Sequence, residues 1–324
     1  MKAIFLKIIA AIITSVLLIP AGIGGGADYD VREPENCRFN FCILSDSHIE
    51  GNNFNRYKVF TASLQNIKKN KSGNDAVVFL GDNTMNGQTI ENLLFHGAVG
   101  YYLKNEKIVS VMGNHDIGNG EGDYEKLQNR WYTYTNGFFG KELTHPYYYE
   151  VIDGYYFIVL GMEAQEVHEM QISEEQFTWL ENVLAEAAGS GRPVFVFSHM
   201  PMDYAEDLEG NPTDRLMDLL AAYNEENDIF CFVGHTHMPL YNFWSFHTSD
   251  GYPETYLPRL TELYGGDDNE IGENSGVGIE VEIYENEVQI RGRNFYTGEW
   301  CEDDDGPIER TYSLKKPVSL SDAA

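Results

Sequence analysis

The stretch Ile108-Val109-Ser110-Val111-Met112-Gly113-Asn114-His115-Asp116 decides the fold. A strand-like run, residues 107–112, passes directly into a glycine, an amide, an imidazole and a carboxylate. Glycine lets the backbone turn sharply without a Cβ clash, so the side chains that follow emerge together at the carboxyl end of the strand. Open α/β sheets keep their ligands at that end. Taken alone the tetrapeptide also reads as an ordinary polar turn, because Gly, Asn and Asp are all turn formers.

The same design recurs on both sides of it. Residues 38–44 are mostly apolar and end in Ser45-Asp46-Ser47-His48, and the continuous apolar run 76–80 ends in Gly81-Asp82. Further on, residues 193–197 end in Ser198-His199, and residues 229–233 end in Gly234-His235-Thr236-His237. Five of the nine histidines fall at these ends, and strand ends of one sheet converge in space even when they are distant in sequence. Between the strands, Phe54, Tyr57, Phe60, Leu64 and Ile67 recur at helical spacing. Residues 93–103 read as a helix interrupted by Gly97 and Gly100, and residues 215–223 as another. Residues 173–188 form the clearest helix, with Ser173 and Gln176 as a capping box and Phe177, Leu180 and Leu184 on one face. Two hairpins follow the pattern of turn residues: 147–152 with 155–160 around Asp153-Gly154, and 278–284 with 288–295 around residues 285–287. The expected fold class is therefore α/β with an antiparallel component, in one domain spanning residues 28–324.

Composition narrows the function. At 324 residues, 43% hydrophobic and 23% charged, the chain has ordinary globular proportions. Its net charge of −29 repels phosphate polymers, so no nucleic-acid polymer is expected as a partner, and an anionic substrate would need a local cation such as a bound metal. Residues 1–27 have the layout of a secretory signal: Lys2 and Lys7, an apolar run from Ile8 to Ile19, Pro20, then small residues. That apolar run of 12 is short beside the ~20 residues of a spanning helix, which favours cleavage and secretion over a retained anchor, with no stable membrane span afterwards. Export permits disulfides among Cys37, Cys42, Cys231 and Cys301. Cys42 and Cys231 lie in apolar runs and read as small buried residues, and a bridge from Cys37 to Cys301 has no support in the pattern. Acidic pairs at Asp267-Asp268 and in residues 302–305 read as solvated loop charge rather than cation sites.

The residue types suit a pair of divalent ions. Two ions ~3.5–4 Å apart need a short carboxylate between them, imidazoles outside and open positions for water and substrate. Asp-x-His places its side chains on opposite faces of a strand, so Asp46 and His48 must lie where the strand has opened into a loop. His235 and His237 follow the same argument, each free to serve a different ion.

The ordered set Asp-x-His, Gly-Asp, Gly-Asn-His-Asp, His, Gly-His-x-His, over about residues 40–240, resembles the calcineurin-like metallophosphoesterase superfamily. The resemblance implies a four-layer sandwich of two mixed β-sheets flanked by helices, with the hairpin near residues 278–295 in the second sheet. It implies that Asp46, His48 and His237 hold a first metal ion, that Asp82 bridges, and that Asn114, His199 and His235 hold a second. The ions would be drawn from Fe, Mn, Zn, Co or Ni. His115 would act as a catalytic residue on the leaving oxygen, with Asp116 orienting its ring, while a metal-activated hydroxide attacks phosphorus in line. The substrate would be a small phosphate ester, monoester or diester. A departure from the purple acid phosphatases is expected, because they carry Gly at the position of His48 and a tyrosine at that of Met85. The other reading is an exported binding protein that keeps the fold and the ions without turnover. Aromatic residues in segments 124–149 and 241–246 pack the core or touch the substrate.

Overall fold

A computed structural model of the chain describes residues 27–248, 250–264 and 270–318. The signal segment, up to residue 26, and Asp267-Asp268 lie outside the described residues. Strands β1 (Phe39–Leu44), β2 (Ala76–Leu80) and β3 (Lys107–Val111) are parallel neighbours, with Phe41 opposite Ala76 and Val77 opposite Ile108. Helices α1 (Phe54–Ile67) and α2 (Thr89–Tyr102) connect them. A third helix, α3 (Tyr124–Phe139), leads to the hairpin β4 (Tyr148–Ile152) and β5 (Tyr155–Val159). Then come α4 (Glu174–Ala188), β6 (Val194–Ser198), α5 (Arg215–Glu226) and β7 (Ile229–Val233). The remainder is mainly β: β8 (Phe246–His247), β9 (Glu254–Tyr256), β10 (Val277–Ile283), β11 (Glu287–Asn294), β12 (Glu299–Trp300) and β13 (Glu309–Ser313).

These strands build two mixed sheets. One runs β12-β11-β10-β1-β2-β3 with β13 also on β11; the other runs β8-β9-β7-β6-β5-β4. The alternation of side chains explains why β1, β2, β6 and β7 read as unbroken apolar runs: both faces of each are covered. Phe39, Phe41 and Ile43 enter the core between the sheets, while Cys42 and Leu44 face α1 and α2 on the outside. Phe195, Phe197, Phe230 and Phe232 enter the same core from the other sheet, and Val196, Cys231 and Val233 meet α4 and α5. Phe41 sits at the centre, its ring 5.0 Å from Phe157 and 4.9 Å from Phe195. The layers are thus helices, sheet, sheet and helices, and the hairpin β10–β11 extends the sheet that contains β1.

Several expectations are corrected. The five site-bearing strand ends do not belong to one sheet: β1, β2 and β3 are in the first and β6 and β7 in the second. Helix α2 starts at Thr89 and tolerates both glycines; Gly100 lies against α3, where an added Cβ would be 3.3 Å from the Phe138 ring. At α4 only half of the capping box forms. Ser173 Oγ accepts from the Gln176 amide at 3.1 Å, but the Gln176 side chain is drawn away to Gly161 and Glu163, and Glu163 takes the Ser173 N–H instead. All four cysteines are free thiols, with Cys42 and Cys231 buried as their apolar runs imply. Residues 302–305 sit on a small exposed hairpin. Among the described residues no helix is long and apolar enough to cross a membrane.

Candidate metal centre

The loops that follow β1 and β2 are zipped together by their backbones. Asp46 N–H donates to Gly81 O at 3.1 Å and His48 N–H to Asp82 O at 2.8 Å. In the other sheet, Gly234 N–H donates to His199 O at 3.0 Å. Leu260 N–H and the Thr261 hydroxyl then reach across to Ser45 O and Ser47 O, at 2.9 and 2.7 Å, tying the segment after β9 to the first loop.

Backbone conformation solves the problem of alternate positions pointing to opposite faces. Seven described non-glycine residues have positive φ, and five of them are Asp46, His48, Asp82, His235 and His237, at 54°, 43°, 47°, 60° and 52°. Each left-handed residue turns the chain so that residues i and i+2 present side chains to the same centre. Each also costs on the order of 1 kcal/mol, and strain of this kind collects at functional sites.

The resulting side-chain geometry is compact. His237 Nε2 lies 3.0 Å from Asp46 Oδ1, and His48 Nε2 lies 3.3 Å from His237 Nε2 and 3.6 Å from Asp46 Oδ1. Asp82 Oδ2 stands between two groups, 3.8 Å from His48 Nε2 and 3.2 Å from His199 Nε2. Asn114 Oδ1 is 3.1 Å from His199 Nε2 and 3.2 Å from His235 Nδ1. All seven sequence-predicted ligand positions are therefore brought together. Six of them form two separate sets, Asp46-His48-His237 and Asp82-His199-His235, each close enough to share one ion, and a third set, His48-Asp82-His115, shares a residue with each. Imidazole nitrogens and carboxylate oxygens are the donor types such ions take.

The surrounding groups aim these atoms. His199 Nδ1–H donates to Leu80 O at 2.9 Å, which leaves Nε2 facing the centre, and the Asn114 amide donates to Asn119 Oδ1 at 2.8 Å, which leaves its Oδ1 facing in. Gly113 is required by packing rather than by a left-handed turn: an added Cβ would lie 2.3 Å from both N and Oδ1 of Asp82. Gly234 is held similarly, against Ser45 Oγ at 2.4 Å, whereas Gly81 has both constraints, a φ of 94° and His199 Nδ1 at 2.5 Å from an added Cβ.

His115 and Asp116 divide differently from the expectation. His115 Nδ1–H donates to Met85 O at 2.7 Å and its ring stands edge-on to His48, 4.6 Å between centroids. Asp116 does not touch that ring. Its carboxylate is buried and accepts from Gly113 N–H, Asn83 N–H, the Asn83 amide, Thr84 N–H and the Thr84 hydroxyl, at 2.8–3.3 Å. It clasps the β2 and β3 loops, and the carbonyl of Met85 does the orienting. Sequence offered no sign of that role, because any residue supplies a carbonyl.

Electrostatics follow the burial. Burial alone would push the Asp46 and Asp82 carboxyls up, but His237 and His48 hold Asp46 well below the usual range and His199 holds Asp82 at about 2. Burial depresses His48 to about 4 despite Asp46, and depresses His235 to about 4 with the charge of His199 adding to the effect. Burial opposes the charge on His199, yet Asp82 carries it up to about 9. The centre thus places two buried carboxylates beside buried and half-buried imidazoles, an arrangement that a cation completes.

The pattern of calcineurin-like phosphoesterases matches residues 39–239. No curated protein matches the chain. Among solved structures, a dimetal phosphatase from Danio rerio is similar at 14% identity and a TM-score of 0.55, over 86% of this chain and all of the other. A purple acid phosphatase from yellow lupin seeds is similar at 15% identity and a TM-score of 0.58, over 85% of this chain and 53% of that one. At these identities the likeness is one of fold.

Proposed function

Because the chain belongs to the calcineurin-like phosphoesterase family, we propose that it is a secreted, two-metal phosphoric ester hydrolase acting on small phosphomono- or phosphodiesters. One observation carries the reading: a single carboxylate oxygen, Asp82 Oδ2, lies between His48 and His199, where it can join two ion sites. Asp46, His48 and His237 would hold one ion, and Asn114, His199 and His235 the other. When bound, such ions neutralise the charge that develops on phosphorus oxygens and supply a nucleophile at neutral pH.

The chain's own residues do the rest. Met85 O accepts from Nδ1–H of His115, which leaves Nε2 free to meet the substrate; in the doubly protonated ring Nε2–H would give its proton to the leaving oxygen, and the ring would keep the Nδ1–H. Asp116 holds the loop that carries it. Export rests on the basic, apolar and small-residue order of residues 1–27.

The test is chelation followed by reconstitution with two equivalents of Mn, Zn or Fe, assayed on p-nitrophenyl phosphate and bis-p-nitrophenyl phosphate. Turnover of at least one ester is expected, and silence on both with two ions bound sinks the catalytic reading. His115 also lies within reach of the same atoms as His48 and Asp82, so metal content decides its role. A His115→Ala variant is expected to retain two ions per chain and lose about 10²–10⁴ in kcat. A drop in metal content instead makes His115 a ligand.

A further inference from the structure

Two of the cavities that border the candidate metal centre differ in charge. The one beside His237, about 370 Å³, has Arg259 in its wall. The one beside His235, about 620 Å³, is lined by three carboxylates, Glu169, Asp203 and Glu206, and by the rings of His168 and Tyr204. Among the described residues no lysine or arginine lines this second cavity, and none of its three carboxylates forms an ion pair. Its volume falls within the range of small-ligand sites, ~300–1,000 Å³.

We infer that the cavity beside His235 makes the centre selective for phosphoesters whose organic part carries a positive charge, an ammonium group on the esterified alcohol. The inference rests on the phosphoesterase reading above and names its substrate class. His235 belongs to the set that would hold one ion, and it is also part of the cavity wall. An ester whose phosphate sits on that ion can therefore extend an arm into the cavity, whichever of its P–O bonds is cleaved.

The walls choose the chemistry of that arm. Three carboxylates without a cationic partner repel a second anionic group and attract a cation. Two aromatic rings flank His235 edge-on, Tyr204 at 6.3 Å and His168 at 6.4 Å between centroids, and Tyr204, 38% exposed, is the ring over which an ammonium would lie. The walls are built in advance of any ligand. Met170-Gln171 pairs in parallel with Ala205-Glu206, which joins the two sides, and the Gln165 amide donates to Ile117 O at 2.6 Å and Glu121 O at 2.8 Å, which fixes the segment carrying His168 and Glu169. The net charge of −29 acts in the same direction, because a zwitterionic ester approaches it at less cost than a wholly anionic one.

Phosphocholine and 3,3-dimethylbutyl phosphate isolate the charge, because a quaternary nitrogen in one replaces a quaternary carbon in the other. Each is titrated as a competitor of p-nitrophenyl ester turnover by the metal-loaded enzyme at ~0.15 M salt, where charges beyond ~8 Å are largely screened, so the comparison reports the cavity rather than the net charge. Phosphocholine is expected to have an apparent Ki lower by at least about tenfold. If a competitor is itself hydrolysed, water adds to phosphorus as the bond to the alcohol oxygen breaks, giving inorganic phosphate and choline or 3,3-dimethylbutanol, and its apparent Ki is its KM. The ratio should fall towards one in the Glu169→Gln/Asp203→Asn/Glu206→Gln triple variant, which keeps side-chain size and removes the charge; a merely structural effect would shift both competitors alike. A ratio near one in the parent, or a ratio that the triple variant retains, overturns the inference. If no ester is turned over, calorimetric titration with the same two phosphates separates the readings. Tighter binding of phosphocholine that is lost in the triple variant upholds the cavity while the phosphoesterase reading falls, and equal or absent binding overturns the cavity as well.

Discussion

Gly113 shows how closely the centre is built at the level of single atoms. A methyl group there would lie 2.3 Å from Asp82 Oδ1 and from its backbone N, neither of which can move without shifting the carboxylate between His48 and His199. Gly113→Ala is therefore expected to weaken metal binding by about tenfold or more, the scale seen when groups behind a metal ligand are disturbed. Metal titration of the chelated protein checks it, and two ions bound with parent affinity would refute the account. At this scale the candidate donors were legible, because Asp, His and Asn advertise their chemistry. Their supports were not. Leu80 and Met85 act through carbonyls, and Asp116, which looked like a partner for His115, proved to bind Gly113, Asn83 and Thr84.

Elements were readable where local chemistry governs them and less so where a neighbour intervenes. The hairpin at Asp153-Gly154 forms as its turn residues demand, with φ of 48° and 83°. Helix α4 starts where Ser173 predicts, but the side chain of Gln176 serves Gly161 and Glu163 because β5 brings them within reach. Ser173 is thereby the joint between α4 and the chain after β5: it caps Gln176 N–H and donates to Glu163 Oε1 at 2.9 Å. Ser173→Ala should cost ~1 kcal/mol of unfolding free energy. Urea denaturation measures it, and a change below ~0.3 kcal/mol would show that the cap is dispensable. The left-handed residues after β1, β2 and β7 are the other element-scale finding. Their side chains stand out in the sequence by residue type, but the backbone twist that brings them together accompanies the zipped loops.

Over the whole molecule, burial sets a pH dependence far from the metal centre. Glu280 on β10 is buried in the first sheet, accepting the Tyr29 hydroxyl at 2.6 Å, with Arg293 lying 3.1 Å from the Tyr29 ring centroid. Burial outweighs the help of Arg293 and Tyr29 and lifts this carboxyl from 4.5 to about 7. The folded state holds that proton more tightly than the unfolded one. Its contribution is therefore complete below pH 4.5 and is lost as the pH rises to about 7, a change of ~3 kcal/mol if this group acts alone. Glu280→Gln should flatten the decline of stability across that interval, measured by urea unfolding at successive pH values. An unaltered slope would remove Glu280 from the account. Sequence by itself determined the apolar runs that become strands, four of the helices between them and the seven metal-capable residues, because hydrophobic periodicity and side-chain chemistry are local properties. It did not determine helix α3, whose aromatic-rich segment showed no clear helical pattern. Only the tertiary structure decided that the donors come from two sheets, that Asp82 stands between His48 and His199, and that a cavity opens at His237. Those facts depend on how two sheets pack face to face, and packing joins residues whose separation along the chain carries no local mark.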